Sequence, residues 1–224
     1  MSLSASIEDY IKTIYYLEAD QERPTTKRIA QRLGVRMASV TGMVKHLAAE
    51  GLLKHKPYHG VTLTDRGRQA ALATLRRHRI LELFLVKTLD LGWDEVDSDA
   101  DALEHAISDQ LIERIYDFLG RPDFDPHGSP IPTRDGKIRT VDRTPLADVP
   151  EKTPCKIVRV SDNDSEFLRY LTKSGIRIGT QLTVLERAPF DGPVTIRVGR
   201  KRVTLGVEAC RRIDVVLEDG ESAT

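Results

Sequence analysis

The chain has 224 residues, 40% hydrophobic and 30% charged, which suits a soluble globular protein of one large domain or two to three small ones. No apolar run reaches the length of a membrane span, the N-terminus lacks a signal-peptide pattern, and two cysteines make no disulfide framework, so a cytoplasmic protein with no membrane partner is expected. The net charge of zero hides an asymmetry: residues 1–81 hold 14 Lys/Arg and 7 Asp/Glu, and residues 82–125 hold 3 and 13, which suggests a basic surface for a polyanion beside an acidic region for a cation.

In chain order, Ile7, Ile11, Ile14, Tyr15 and Leu17 form an apolar stripe that predicts a helix over 4–20, with Ser4 or Ser6 as its cap. Pro24 opens a second helix through Leu33, and Gly34 ends it. A third runs from about Met37 to Glu50 and stops at Gly51. Two short helices joined by a tight Gly-containing turn make a helix-turn-helix unit. Leu52, Leu53, Val61 and Leu63 read as strand residues around a PYHG hairpin tip, which gives a winged helix. A long helix follows from Thr64 or Asp65 to about Leu89, with Gly67 in its first turn. A single acidic helix is then expected from about Asp94 to Leu119, closed by Gly120.

Six prolines between 120 and 150 forbid a regular helix there and predict an ordered loop, then a linker. Strand-like runs at KIVRV, QLTVLER, VTIRV, RVTLG and RIDVVL, with one helix at SEFLRYLTKSG, predict a small SH3-like β-barrel. The fold class is therefore mainly α, with a small β-barrel at the C-terminal end. The expected division is a winged helix-turn-helix domain at 1–72, a helical dimerisation and metal-binding domain at 73–140, a linker at 141–151 and the SH3-like domain at 152–218. The tail DGESAT is expected to be disordered.

The third helix offers Arg36, Ala38, Ser39, Thr41, Gly42 and Lys45 as a DNA-reading face. Its small residues let a helix sit deep in a major groove, hydroxyls bind phosphates or bases, and Ala touches a thymine methyl. Lys27, Arg28 and Arg32 on the preceding helix, and Lys54, Lys56 and His59 on the wing, are placed for phosphates. Further on, Asp97, Asp101, Glu104 and His105 fall at i, i+4, i+7 and i+8, one helical stripe. Three like charges on a stripe repel, and carboxylates with an imidazole form a ligand set for a divalent transition metal. His78 and Glu82 make a second i, i+4 pair, and Asp9 is one more carboxylate within the first helix.

The order helix-turn-helix, basic wing, RRHRILELFL, DADALEHAISD, DPHGSPIP and small barrel resembles the diphtheria toxin repressor family of metal-dependent transcription regulators, over essentially the whole chain. Within it, the chain is most similar to the manganese-responsive members that keep a C-terminal SH3-like (FeoA-like) domain. The resemblance implies a primary metal site from Asp9, Asp101, Glu104 and His105, and an ancillary site from His78, Glu82 and Asp97 with help from Glu166, backed by Asp164, in the barrel. Carboxylates at Asp9 and Asp101, where the iron-type members carry Met and Cys, favour Mn²⁺ over softer ions, with Fe²⁺ the alternative and Zn²⁺ or Co²⁺ expected to bind in vitro. Short manganese members carry a second carboxylate where this chain has Lys12, so a closely spaced metal pair is not expected. His127 reads as structural.

The function implied is a homodimeric, metal-gated repressor of metal-uptake genes that binds a double-stranded operator. Leu103, Ile107, Leu111, Ile115 and Phe118 are the expected dimer core, and the two half-sites lie about 34–36 Å apart. It is not expected to be an enzyme or to take a small organic substrate. A metallohydrolase would need an open coordination position, a base and a substrate cleft, and a metal-independent winged-helix regulator would show a metal-blind gel shift.

Overall fold

The computed structural model describes residues 3–56, 60–161 and 164–218, except for the side chain of Lys56. Most of the expected PYHG hairpin tip, with His59, and the DGESAT tail lie outside these residues. The described residues divide into two compact units, one of Met1–Leu81, Asp101–Tyr116 and Ile131–Ile138, the other of Glu82–Ala100, Asp117–Pro130 and Arg139–Thr224.

The first unit starts with α1 (Ala5–Ala19), α2 (Thr26–Leu33) and α3 (Met37–Ala49). Thr25 caps α2 by accepting from the Arg28 amide at 3.3 Å, and Gly34 closes it in the left-handed region at φ 66°, which a Cβ disfavours. Strands β1 (Leu53–Lys56) and β2 (Gly60–Leu63) pair antiparallel, Leu53 opposite Leu63 and Lys56 opposite Gly60. Ile11, Ile14 and Leu17 of α1 meet Ile29 of α2, Val40, Val44 and Leu47 of α3, and Leu52, Leu53, Val61 and Leu63 of the hairpin in one buried core. The apolar periodicity of each helix thus points to one centre, which is what holds three short helices together.

The long helix α4 spans Asp65–Leu89, as its sequence predicts. Thr64 starts it, accepting from the Gly67 amide at 3.0 Å while donating to the Gly51 carbonyl at 2.8 Å. A Cβ on Gly67 would come within 2.1 Å of the Leu52 carbonyl oxygen, so the glycine is fixed by the close approach of the β1 entry.

The acidic helix departs from the expectation. It is two helices, α5 (Val96–Glu104) and α6 (Asp109–Phe118). The Ala106 and Ile107 amides both bond back to the Leu103 carbonyl, which ends the first, and the Ser108 hydroxyl accepts from the Leu111 amide at 3.2 Å, which starts the second. A Ser at an N-cap competes successfully with helix continuation. Asp101 and Glu104 therefore sit in the last turn of α5, and His105 lies just past it.

The second unit holds a six-stranded antiparallel sheet in the order β3-β8-β4-β5-β6-β7. Its strands are β3 (Thr144–Pro145), β4 (Pro154–Val160), β5 (Gln181–Arg187), β6 (Val194–Val198), β7 (Lys201–Leu205) and β8 (Ile213–Leu217). The helices α7 (Ser165–Lys173) and α8 (Val207–Arg211) lie between β4 and β5 and between β7 and β8. The stretch expected as a linker, 141–151, contains β3, which pairs with β8, and buries Leu146, Ala147 and Val149 in this unit's core. A two-residue edge strand tolerates Pro145, which has no amide proton to offer a ladder. Burial pushes the thiols of Cys155 and Cys210 up to about 11, so neither is a ready metal ligand near neutral pH. Among the described residues no helix is long and apolar enough to cross a membrane.

Candidate metal centre

In the first unit, α1 brings Asp9 to Glu104 and His105, and one ligand atom from each lies within 4.8 Å of the others. His105 Nε2 is 3.0 Å from Asp9 Oδ1 and 3.5 Å from Glu104 Oε1. Its other nitrogen, Nδ1, is 2.7 Å from Glu8 Oε2. Glu8 is held in turn by Arg77 at 2.6 Å, and Arg77 Nε also donates to the Glu104 carbonyl at 2.9 Å. A carboxylate on one ring nitrogen orients the other, as partners of metal-bound histidines do. Burial raises the Asp9 carboxyl above its ordinary value, against the opposing charges of His105 and Lys12.

Asp101 joins this network through a lysine. Lys12, on the same helix as Asp9, donates to Asp101 Oδ1 and to Glu104 Oε1, each at 2.6 Å. Burial works against the ammonium, but Glu104 and Asp101 outweigh it and raise its pKa. Burial would raise the Asp101 carboxyl too, yet the His78 hydrogen bond and the Lys12 charge hold it well below the usual carboxylate range. His78 Nδ1 lies 2.7 Å from Glu104 Oε2 and 3.3 Å from Asp101 Oδ1. Glu104 is fully buried among these groups. Two carboxylates and an imidazole converging on one point form a donor set that fits a hard-to-borderline divalent cation. All four residues expected for the primary site thus fall in one network, with three of them grouped tightly.

The residues expected for the ancillary site are His78, Glu82 and Asp97. His78 belongs to the first unit, whereas Glu82 and Asp97 belong to the second. Asp97 is exposed in the first turn of α5. Within the second unit, Glu82 is grouped with Asp125 and His127, all three buried and with ligand atoms within 4.8 Å of one another. The Trp93 carbonyl can only accept, so the 2.7 Å contact gives His127 Nε2 the proton and turns Nδ1 towards Glu82 Oε1, 3.6 Å away. Asp125 Oδ1 accepts from the His127 and Ser129 amides at 2.8 and 2.9 Å, which shapes the loop. Gly128, at φ 82°, brings its backbone so close to Val158 that a Cβ would come within 1.8 Å of that carbonyl oxygen. His127, read from the sequence as structural, is thus one of three grouped donors.

The other two candidates, Asp164 and Glu166, lie in the second unit. Asp164 caps α7 by accepting from the Glu166 and Phe167 amides at 3.1 Å and receives Arg212 at the same distance. Glu166 is exposed in the first turn of α7.

The expected DNA-reading residues Arg36, Ala38, Ser39, Thr41, Gly42 and Lys45 are all exposed on or beside α3, while Val40, Val44 and Leu47 face the core. Thr41 turns its hydroxyl back to the Met37 carbonyl at 3.0 Å. Lys27 and Arg28 are exposed on α2, where Arg28 pairs with Glu22 at 3.1 Å. Lys54 is exposed on β1.

Three family models match in sequence: iron dependent repressor, N-terminal DNA binding domain, over residues 2–61; iron dependent repressor, metal binding and dimerisation domain, over 64–133; and FeoA domain, over 144–217. The iron-dependent repressor IdeR of Mycobacterium leprae is 30% identical over 221 residues, covering 93% of this chain and 95% of that one. The diphtheria toxin repressor of Corynebacterium efficiens is 30% identical over 223 residues, covering 95% and 96%. Among solved structures, a manganese-dependent transcriptional repressor in complex with manganese superposes with a TM-score of 0.89 at 40% identity, covering 95% of this chain and all of that one. The manganese regulator SloR gives 0.80 at 32% identity, covering 97% and 100%.

Proposed function

This chain belongs to the iron-dependent repressor family, that of the diphtheria toxin repressor, and from that premise we propose that it is a manganese-responsive repressor whose DNA binding is gated by a divalent ion held at Asp9, Asp101, Glu104 and His105. The family is one of metal-dependent, DNA-binding transcription repressors and not of enzymes, which sets aside the metallohydrolase reading. The observation that carries the proposal is the grouping of Asp9, Glu104 and His105. It ties α1, a part of the DNA-binding segment, to residues beyond α4. An ion bound there would draw Asp9, Glu104 and His105 together by coordination, and so favour the conformer in which α1 is held.

The oxygen-rich donor set supports Mn²⁺, with Fe²⁺ as the alternative, while Zn²⁺ and Co²⁺ are expected to bind in vitro because intrinsic affinities rise along the first row. A second ion is proposed at Glu82, Asp125 and His127, with the ancillary set of His78, Glu82 and Asp97 read from the sequence as the alternative. On the former assignment His78 orients Glu104, and Asp97 favours the N-terminal dipole of α5. For DNA, α3 reads the major groove with Arg36, Ala38, Ser39, Thr41, Gly42 and Lys45, while Lys27, Arg28 and Lys56 take phosphates. The chain acts as a homodimer through the exposed apolar residues Leu103 and Leu111, within the cytoplasm, on 1–72, 73–140 and 152–218 as its working parts. The targets proposed are metal-uptake genes.

The test is a titration of a duplex, selected from random sequence in the presence of Mn²⁺, against the protein under anaerobic conditions with Mn²⁺, Fe²⁺, Co²⁺ or Zn²⁺. Metal-gated binding that D9A and H105A abolish is expected. An undiminished Mn²⁺ response in either folded variant contradicts the assignment.

A further inference from the structure

Lys12 stands apart from the expected ligands because it is a cation placed among them. Its side chain is only 11% exposed, its ammonium sits 2.6 Å from Asp101 Oδ1 and 2.6 Å from Glu104 Oε1, and Glu104 is also a neighbour of Asp9 and His105. His78 completes the ring, facing Glu104 Oε2 and Asp101 Oδ1 from the other side. Resting on the reading of Asp9, Asp101, Glu104 and His105 as a metal site, we infer that Lys12 is a built-in counter-cation that sets the affinity of this site and limits it to one ion.

The physical reasoning is direct. Two carboxylates brought together, with Glu104 fully buried, are stabilised by a positive charge nearby, and the chain supplies one covalently. That charge keeps Asp101 and Glu104 assembled when no ion is bound. It also opposes an incoming ion twice, by occupying carboxylate oxygens and by repelling a like charge at short range. A second ion using the same oxygens would have to displace the ammonium from Asp101 and Glu104. The lysine therefore raises the ion concentration at which the site fills, which is the set-point of a metal sensor. It is a positioning and affinity-determining residue, not a ligand.

The experiment measures Mn²⁺ binding to the full chain from the electron paramagnetic resonance signal of the free hydrated ion, together with thermal unfolding of the metal-free protein. K12M removes the charge and keeps the length, K12R keeps the charge, and K12E adds a donor. In the binding phase that D9A abolishes, K12M is expected to bind Mn²⁺ at least about tenfold tighter, as loss of a close like charge in a partly shielded site predicts. K12R is expected to stay near the parent, and K12E to take up one additional ion per chain. Metal-free K12M is expected to melt lower than the parent and to regain more on adding Mn²⁺. A folded K12M with equal or weaker Mn²⁺ affinity overturns the inference. If K12M does not fold, K12Q takes its place under the same criterion. If instead D9A leaves every Mn²⁺ phase of the parent intact, it is the assignment of the site that fails, and the two failures are distinguishable.

Discussion

Glu8 orients His105 in the proposed site. It takes His105 Nδ1 at 2.7 Å and leaves Nε2 to face Asp9 and Glu104. Loss of such an orienting carboxylate lowers metal affinity by about 10–100-fold where it has been tested in other sites. E8A is therefore expected to weaken Mn²⁺ binding by that order, with E8Q intermediate because it keeps an acceptor. Nitrogen-15 correlation spectra of the parent are expected to place a proton on His105 Nδ1. Unchanged affinity in E8A, or a proton on Nε2 alone, contradicts the role. The sequence shows the carboxylates and the histidine but not this pairing, because Glu8 and His105 are 97 positions apart and nothing local connects them. The same holds for Lys12, legible as a residue that cannot ligate but not as the partner of Asp101 and Glu104.

At the scale of elements, local signals account for the parts that came out as read. Gly34 and Gly51 end α2 and α3, and the apolar spacing of α1 and α3 gives the buried faces of the first unit. The break between α5 and α6 was legible in principle. Ser108 followed by Asp109 is a helix-start signal, but a sustained apolar spacing across it favours one continuous helix. The cluster of Glu82, Asp125 and His127 was not legible, since a proline-rich loop has no periodicity to say where its side chains go. Gly67 offers a test at this scale. Alanine is worth about 1 kcal/mol over glycine inside a helix. Here, though, its Cβ would meet a backbone oxygen at 2.1 Å. Overpacking of that kind costs about 1–3 kcal/mol or more. G67A is expected to lower the unfolding free energy by at least about 1 kcal/mol in urea denaturation, and a more stable G67A would contradict the close approach.

For the molecule as a whole, the sequence order of helix-turn-helix, hairpin, long helix, acidic segment and C-terminal strands was enough to place it in its family. That order is carried by composition shifts and turn residues spread over the entire chain, so it survives errors in any one element. The charge asymmetry has a counterpart in the fold: basic residues are exposed on α2, α3 and β1, and Asp101 and Glu104 of the acidic stretch belong to the proposed metal site. A repressor of this kind couples the two. On the proposed reading the ion acts by altering which arrangement of the DNA-binding segment is populated.

The decisive measurement is an anomalous-scattering map at the manganese edge from crystals of the full chain grown with Mn²⁺. A peak coordinated by Asp9, Glu104 and His105 is predicted, lost in D9A together with operator binding. A map empty at those three residues, from a protein that still binds its operator only when Mn²⁺ is present, would show that the gate lies elsewhere.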